Sequence, residues 1–346
     1  MEKRLYSAEL DRIREEFFAT GNAAAALDAR TRVVVEFVSD SYAATLAAHE
    51  GVALLSVGGY GRRELFPCSD VDLLFLAAEE NRKSLKEPLS VLLQSLWDAG
   101  MRVSQSVHSV EECAELHEDN VELNISLLDQ SFLAGDSDEY ERFRARLAKF
   151  VPARRDALNR HLSRVTRERH AKFQDTQYHL EPNIKEAPGG LRDYHVVCWD
   201  GQLAGRERGE RGNDEIADSV GRLFALRCYL HYFSGRDNNV LTFDLQERVA
   251  ERLSKDAASL MRDYFREAGA IRHACLRVLE GLEAKRSPLF AQFRDRLSRL
   301  SNSEFTVIRD RVFFRTPALV ASDPSLALRL FAFMARHGVK LAADTE

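Results

Sequence analysis

The chain has 346 residues, 45% of them apolar and 30% charged, with a formal net charge of −5. That length suits about two domains of roughly 100–200 residues each; the composition is that of a folded globular protein, and the negative balance argues against a general polyanion binder, so no nucleic-acid partner is expected. The five scattered cysteines (Cys68, Cys113, Cys198, Cys228, Cys275) form no C-x-x-C pair, no apolar run approaches the ~20 residues that span a bilayer, and the amino terminus lacks a signal core; a reducing, cytoplasmic setting without a membrane partner is expected.

Residues 1–50 read as two helices, one in "SAELDRIREEFFATG" with Ser7 as its cap, the other in "ALDARTRVVVEFVSDSYAATLAAHEG" ending at Gly51. From 52 to about 135, short β-rich runs ("VALLSV", "VDLLFL", "RVSQSVHS") alternate with helical segments such as "SLKEPLSVLLQSLWDAG", which closes on Gly100. After Gly135 the pattern is helical: "DEYERFRARLAKF", "PARRDALNRHLSRVTRERHAKF", then about 214–234 and 256–285. Two stretches interrupt it, "EPNIKEAPGGLRDYH" and the charged 205–214, which reads as an exposed loop. Near the end "FTVIRDRVFFRTP" suggests a hairpin turning at Arg309 and Asp310.

The chemistry concentrates in "LLSVGGYGRRELFPCSDVDLLFL", residues 54–76. Residues two apart on a strand point the same way, so Asp70 and Asp72 project side by side. Carboxylates that close raise each other's pKa unless a cation lies between them, and Mg²⁺ is the natural candidate because it accepts one or two carboxylates and completes its shell with water and phosphate oxygens. Gly58 and Gly59 follow a strand and open a short helix, where backbone N–H groups can approach a triphosphate. Ser69, Arg62 and Arg63 are candidate extra donors. The stretch is neither a Walker loop, lacking Gly-Lys-Ser/Thr, nor a dinucleotide fingerprint, since Glu64 stands where a third glycine would be.

A second stretch, residues 178–200, combines Pro182, Pro188, Gly189 and Gly190 with a restarting helix; Lys185 and Arg192 flank the turn, placed to reach one anion from two directions. Arg192 and Asp193 in purely local pairs would be a structural alternative, and both readings can hold. The arginines of 154–169 read as a solvated helix face, His179 and His195 as hydrogen-bonded structural histidines, and Trp199 and Phe173 as core.

The Gly-Gly element, ten residues, then Asp-x-Asp in an apolar strand resembles the nucleotidyltransferase signature of the DNA polymerase beta superfamily. That resemblance implies two metal ions on the paired carboxylates, in-line displacement of pyrophosphate, and a third carboxylate from a neighbouring strand, for which "SLLDQSFLAGD" offers Asp129. Together with "EPNIKEAPGGLRD", the pattern resembles the bacterial family that uridylylates and deuridylylates the nitrogen-regulatory PII signalling protein. The resemblance implies an α+β fold: a polymerase-beta-like nucleotidyltransferase domain with a mixed sheet over 1–150, then a mainly helical domain over 151–346. It implies Mg²⁺ (or Mn²⁺)-dependent transfer of UMP from UTP to a tyrosine hydroxyl of PII, with Asp70, Asp72 and Asp129 as metal-binding catalytic residues, Asp129 also helping to deprotonate the acceptor. Gly58, Gly59, Arg62, Ser69, Lys185, Gly189, Gly190 and Arg192 would bind the nucleotide. Cys68 departs from the histidine usual there. None of the ten histidines precedes an aspartate, so uridylyl removal and glutamine sensing, which the family carries in later domains, are not assigned to this chain, read as a fragment or a short relative. Transfer of another nucleotide such as AMP, another protein acceptor, or a non-catalytic nucleotide-binding module stand as the alternatives.

Overall fold

The computed structural model describes residues 3–116, 121–206, 214–284, 301–308, 311–316, 320 and 323–342. The chain is α+β and divides into two compact units, Met1–Arg272 and His273–Glu346.

In the first unit, α1 (Lys3–Thr20) and α2 (Ala23–Thr45) precede a four-stranded sheet built from β1 (Val52–Ser56), β2 (Val71–Ala77), β3 (Val103–His108) and β4 (Ser131–Gly135). The order is β3-β2-β1-β4, with β2 and β3 parallel and the other neighbours antiparallel, so the sheet is mixed. Both faces are covered, which is why β1 and β2 read as nearly continuous apolar runs. Alternation still sorts the side chains. Val52, Leu54, Leu73 and Phe75 pack with α2 and α4 (Arg82–Asp98), while Ala53, Leu55, Leu74 and Leu76 pack with α5 (Val110–Cys113) and, beyond the short α6 (Val121–Ser126) in the chain, with Phe143 of α7 (Ser137–Lys172). Asp72 is in phase with Leu74 and Leu76, at the end of β2 where that apolar cover runs out.

Helices α8 (Leu191–Leu203), α9 (Asp214–Ser234) and α10 (Phe243–Arg252) follow, and α11 (Ala257–Ala284) contains the boundary between units. In the second unit β5 (Phe305–Ile308) pairs antiparallel with β6 (Arg311–Phe314), which pairs with β7 (Lys340–Leu341); α12 (Ser325–His337) packs Leu326 and Leu330 against Phe305 and Val312.

Two details differ from expectation, and a third lies outside what the structure describes. Ser7 lies inside α1, which starts at Lys3; the side-chain cap that does form in this region is Asn22 on α2, whose Oδ1 accepts from Ala25 N at 3.1 Å. The expected helices on either side of Pro152 are one 36-residue helix, α7, that runs through the proline; such a residue removes one intrahelical bond, which packing of Phe143, Phe150, Leu158 and Leu162 offsets. The turn at Arg309–Asp310 and most of the charged segment 205–214 lie outside the described residues.

Candidate active site

β1 ends at Ser56, and the chain turns into the single-turn helix α3 (Gly58–Gly61), with Gly58 at φ +56°. A Cβ on Gly58 would stand 3.2 Å from Asp72 Oδ2, so the missing side chain lets the carboxylate lie directly against the turn. The first N–H groups of a helix have no intrahelical acceptor, and here they open beside that carboxylate. Asp70 immediately precedes β2 and bonds Arg102 at 2.9 Å at its exposed edge. Burial, and then the neighbouring Asp70 carboxylate, push the Asp72 carboxyl up to about 6. A half-buried carboxylate pair with this electrostatic penalty suits a hard divalent cation.

Gly58, Gly59, Ser69, Asp70 and Asp72 line one side of a cleft of about 780 Å³, and Lys185 and Arg192 line it from the helical segment. Lys185 sits in the loop before α8, a loop tied down by Asn183, whose Oδ1 accepts from the amides of Lys185 and Glu186 at 3.0 and 2.9 Å. Burial, with Arg227 and Arg192 nearby, lowers the Lys185 pKa. Arg192 is in the first turn of α8, with its guanidinium 5.8 Å from the Trp199 ring centroid. The adjacent Asp193 is wholly buried; it takes Arg169, His170 Nε2 at 2.8 Å and the Gly189 amide at 2.8 Å. The motif thus divides: Asp193 fastens the loop to α7, and Arg192 faces the cleft.

Several expected nucleotide contacts stand elsewhere. Gly189 and Gly190 are buried and do not line the cleft; their amides are committed to Asp193 and to Ala187 O. Arg62 borders the cleft, but its Nε bonds Glu64 Oε2 at 3.0 Å and its Nη1 bonds Asp129 Oδ2 at 2.6 Å. Arg63, at φ +64°, turns outward to Asp28 at 2.6 Å.

Asp129, expected as a third carboxylate from a neighbouring strand, is placed in a buried turn rather than on a strand. It ends a 3-10 turn (Leu127–Asp129) just before β4, is wholly buried and does not line the cleft. Its Oδ2 takes both Arg62 and Trp199 Nε1, the latter at 2.7 Å. A Cβ on Gly61 would fall 1.7 Å from the Asp129 carbonyl oxygen, so the third glycine of the turn exists for this contact.

Residues 157–279 match the family described as GlnD PII-uridylyltransferase. Over 315 residues the chain is 34% identical to the bifunctional uridylyltransferase/uridylyl-removing enzyme of Ralstonia nicotianae, covering 85% of this chain and 36% of that protein. It is 36% identical over 255 residues to the proteins of the same name from Burkholderia thailandensis and Burkholderia mallei, covering 68% of this chain and 30% of each. The chain resembles the PII-uridylyltransferase family. It spans about a third of the length of the curated relatives it matches.

The family-matched segment carries the cleft's cationic wall, Lys185 and Arg192, and also residues that sequence reasoning missed. Arg227, on α9, is buried and donates to Asn239 Oδ1 at 2.7 Å and Asp237 Oδ1 at 3.2 Å, with Phe66 under its guanidinium at 4.1 Å. Asp237, which also faces His231 Nε2 at 3.0 Å, is held below the usual carboxylate range by His231 and Arg227. The available signal was a lone arginine inside the apolar run "LFALRCYLHYF", since a buried guanidinium needs an acceptor. Trp199 and Phe173, read as core, both border the cleft. Among the described residues no helix is long and apolar enough to cross a membrane.

Proposed function

We propose that this chain transfers UMP from UTP to a tyrosine hydroxyl of the PII signalling protein and releases pyrophosphate. The observation that carries the reading is the Asp70–Asp72 pair set against the Gly58 turn, across one cleft from Lys185 and Arg192. The similarity to uridylyltransferase/uridylyl-removing enzymes supports the uridylyl group, and the match to a PII-uridylyltransferase family supports the acceptor.

The donor set at this edge of the sheet fits Mg²⁺ or Mn²⁺: two hard oxygen ligands, one of them raised to about 6 by burial and by its neighbour, a penalty that a bound cation removes. Asp70 and Asp72 would hold the metal, which when bound supplies charge neutralisation for the triphosphate and Lewis-acid activation at phosphorus. The chain's own groups do the rest. The amides opening at Gly58 and Gly59, with the Ser69 hydroxyl, receive phosphate oxygens. Lys185 and Arg192 approach the same anion from the helical segment, which positions it and stabilises charge passing to the leaving pyrophosphate. The tyrosine oxygen forms the new bond to the α-phosphorus as the bond to pyrophosphate breaks, and the hydroxyl proton passes to solvent water. On this reading 1–150 supplies metal and phosphate binding and 151 onward supplies the closing cations.

The test is to incubate the purified chain with PII, Mg²⁺ and each of four α-labelled ribonucleoside triphosphates in turn. Label on PII from UTP, removed by mutating the modified tyrosine to Phe, is the expected result; label from ATP alone overturns the uridylyl assignment. UTP binding without pyrophosphate release overturns transfer altogether.

A further inference from the structure

Resting on that reading of the cleft, we infer that Asp129 is a positioning residue rather than a metal ligand. With Arg62 and Glu64 it forms one half of a buried clasp, and His195 and Trp199 on α8 form the other. The clasp fixes where Arg192 stands over the cleft.

Arg62 is the centre. Its side chain is 11% exposed and bridges Glu64 and Asp129 through two different nitrogens. Each carboxylate then takes one further N–H from α8: His195 Nε2 lies 2.7 Å from Glu64 Oε2, and Trp199 Nε1 lies 2.7 Å from Asp129 Oδ2. Glu64 is ionised and can only accept, so His195 carries its proton on Nε2 in this contact; its Nδ1 is buried without a partner. The two carboxylates thus share one guanidinium and two ring N–H donors, and the indole also lies 5.7 Å from the guanidinium of Arg62.

The helix geometry links this clasp to the cleft. Residues 192, 195 and 199 are spaced by three and four, so they share one face of α8. His195 anchors that face to Glu64, three residues past the Gly58–Gly61 turn, and Trp199 anchors it to Asp129, which Arg62 ties to the same stretch. The third residue, Arg192, lines the same cleft as Asp70 and Asp72, with its guanidinium near the Trp199 ring and 3.5 Å from Glu186 Oε1. The clasp spans residues as far apart in sequence as 62 and 199, all in the first unit.

The same geometry argues against a metal role for Asp129. Its Oδ2 is already doubly bonded. Its Oδ1 has no partner, and is the atom a cation would use, but the side chain is sealed from the cleft at 1% exposure. Among the described residues the ligating atoms of Asp70, Asp72 and Asp129 are not gathered within 4.8 Å of one another.

The experiment uses the full chain and four variants: Asp72→Asn, Asp129→Asn, Trp199→Phe and His195→Gln. Mn²⁺ affinity is read by electron paramagnetic resonance with a non-hydrolysable UTP analogue, and KM for UTP and kcat are measured separately, each variant being checked by circular dichroism. Asp72→Asn should weaken Mn²⁺ binding at least about tenfold. Asp129→Asn and Trp199→Phe should leave Mn²⁺ affinity within about twofold and raise KM for UTP roughly tenfold, the size expected for one misplaced cationic contact. His195→Gln, which keeps an N–H at a similar reach, should retain near-wild-type KM. Loss of Mn²⁺ binding in Asp129→Asn to the extent seen in Asp72→Asn overturns the inference, as does an unchanged KM in Trp199→Phe. If Asp129→Asn fails to fold, Trp199→Phe decides. A wild-type chain that binds Mn²⁺ but transfers no UMP sinks the functional reading instead, and the Mn²⁺ arm still decides whether Asp129 is a ligand.

Discussion

Two carboxylate pairs lie close together in the first unit and live under opposite rules. Asp70 and Asp72 face a cleft, and burial with mutual repulsion pushes Asp72 up to about 6. Glu64 and Asp129 lie behind them around Arg62; burial would raise Glu64 as well, but His195 and Arg62 outweigh it and hold its carboxyl at about 2. The first pair meets one arginine, Arg102, at the exposed edge of Asp70, and leaves Asp72 facing the cleft. The second brings its own cation and is shaped to hold elements together. The number of N–H donors per carboxylate, rather than burial alone, separates a ligand from a fastener.

The largest effect should come from removing the shared guanidinium. Arg62→Met leaves two buried carboxylates without their cation and should cost about 3–5 kcal/mol in urea unfolding; a loss below about 1 kcal/mol would mean that the clasp is not structural. Next, Asp72→Asn should stabilise the metal-free protein at pH 7. A carboxyl raised in the folded state binds its proton more readily there than when unfolded, so stability falls as pH rises from about 4 to about 6, and removing the charge returns about 3 kcal/mol. Denaturant titration in the presence of a chelator checks it, and no gain would contradict the burial and repulsion that act on Asp72. Third, Lys185→Ala should raise KM for UTP by about tenfold or more with little change in unfolding midpoint, because its ammonium faces the cleft rather than a fixed partner.

The fourth prediction concerns acid. Burial and Arg62 depress the His195 pKa to about 4, so the unfolded chain takes up this proton first; stability is complete above about 6.5 and declines as pH falls toward 4. Glu64 adds a second decline below about 4.5. His195→Gln should abolish the first window and keep the second in a stability-against-pH series. Last, Arg63→Ala should change stability by less than about 1 kcal/mol, since its pair with Asp28 is roughly half exposed on both sides. Adjacent arginines, 62 and 63, should therefore differ several-fold in cost.

The exposed pair was readable from sequence and the buried one was not, for a physical reason. Asp70 and Asp72 sit two residues apart on a strand whose apolar alternation fixes their direction, and a glycine turn ten residues earlier completes a local pattern. Asp129 was visible only as a carboxylate in an apolar run. What it binds depends on Arg62 and Trp199, 67 and 70 residues away in sequence, and nothing local encodes that pairing. Arg227 differs, because its acceptors lie only 10 and 12 residues on, past the end of its helix, and a lone arginine in an apolar run was the available signal. The two helical stretches quoted around Pro152 are one 36-residue helix, because apolar contacts along its length outweigh the bond the proline removes.

The central claim, that Asp70 and Asp72 form the working edge of a UTP site, is tested most directly by following label from α-labelled UTP onto PII with wild-type chain and with Asp72→Asn at equal concentration and confirmed fold. Label on PII with wild type and a loss of about a hundredfold or more in the variant is the expected result. Comparable labelling by both would contradict the account.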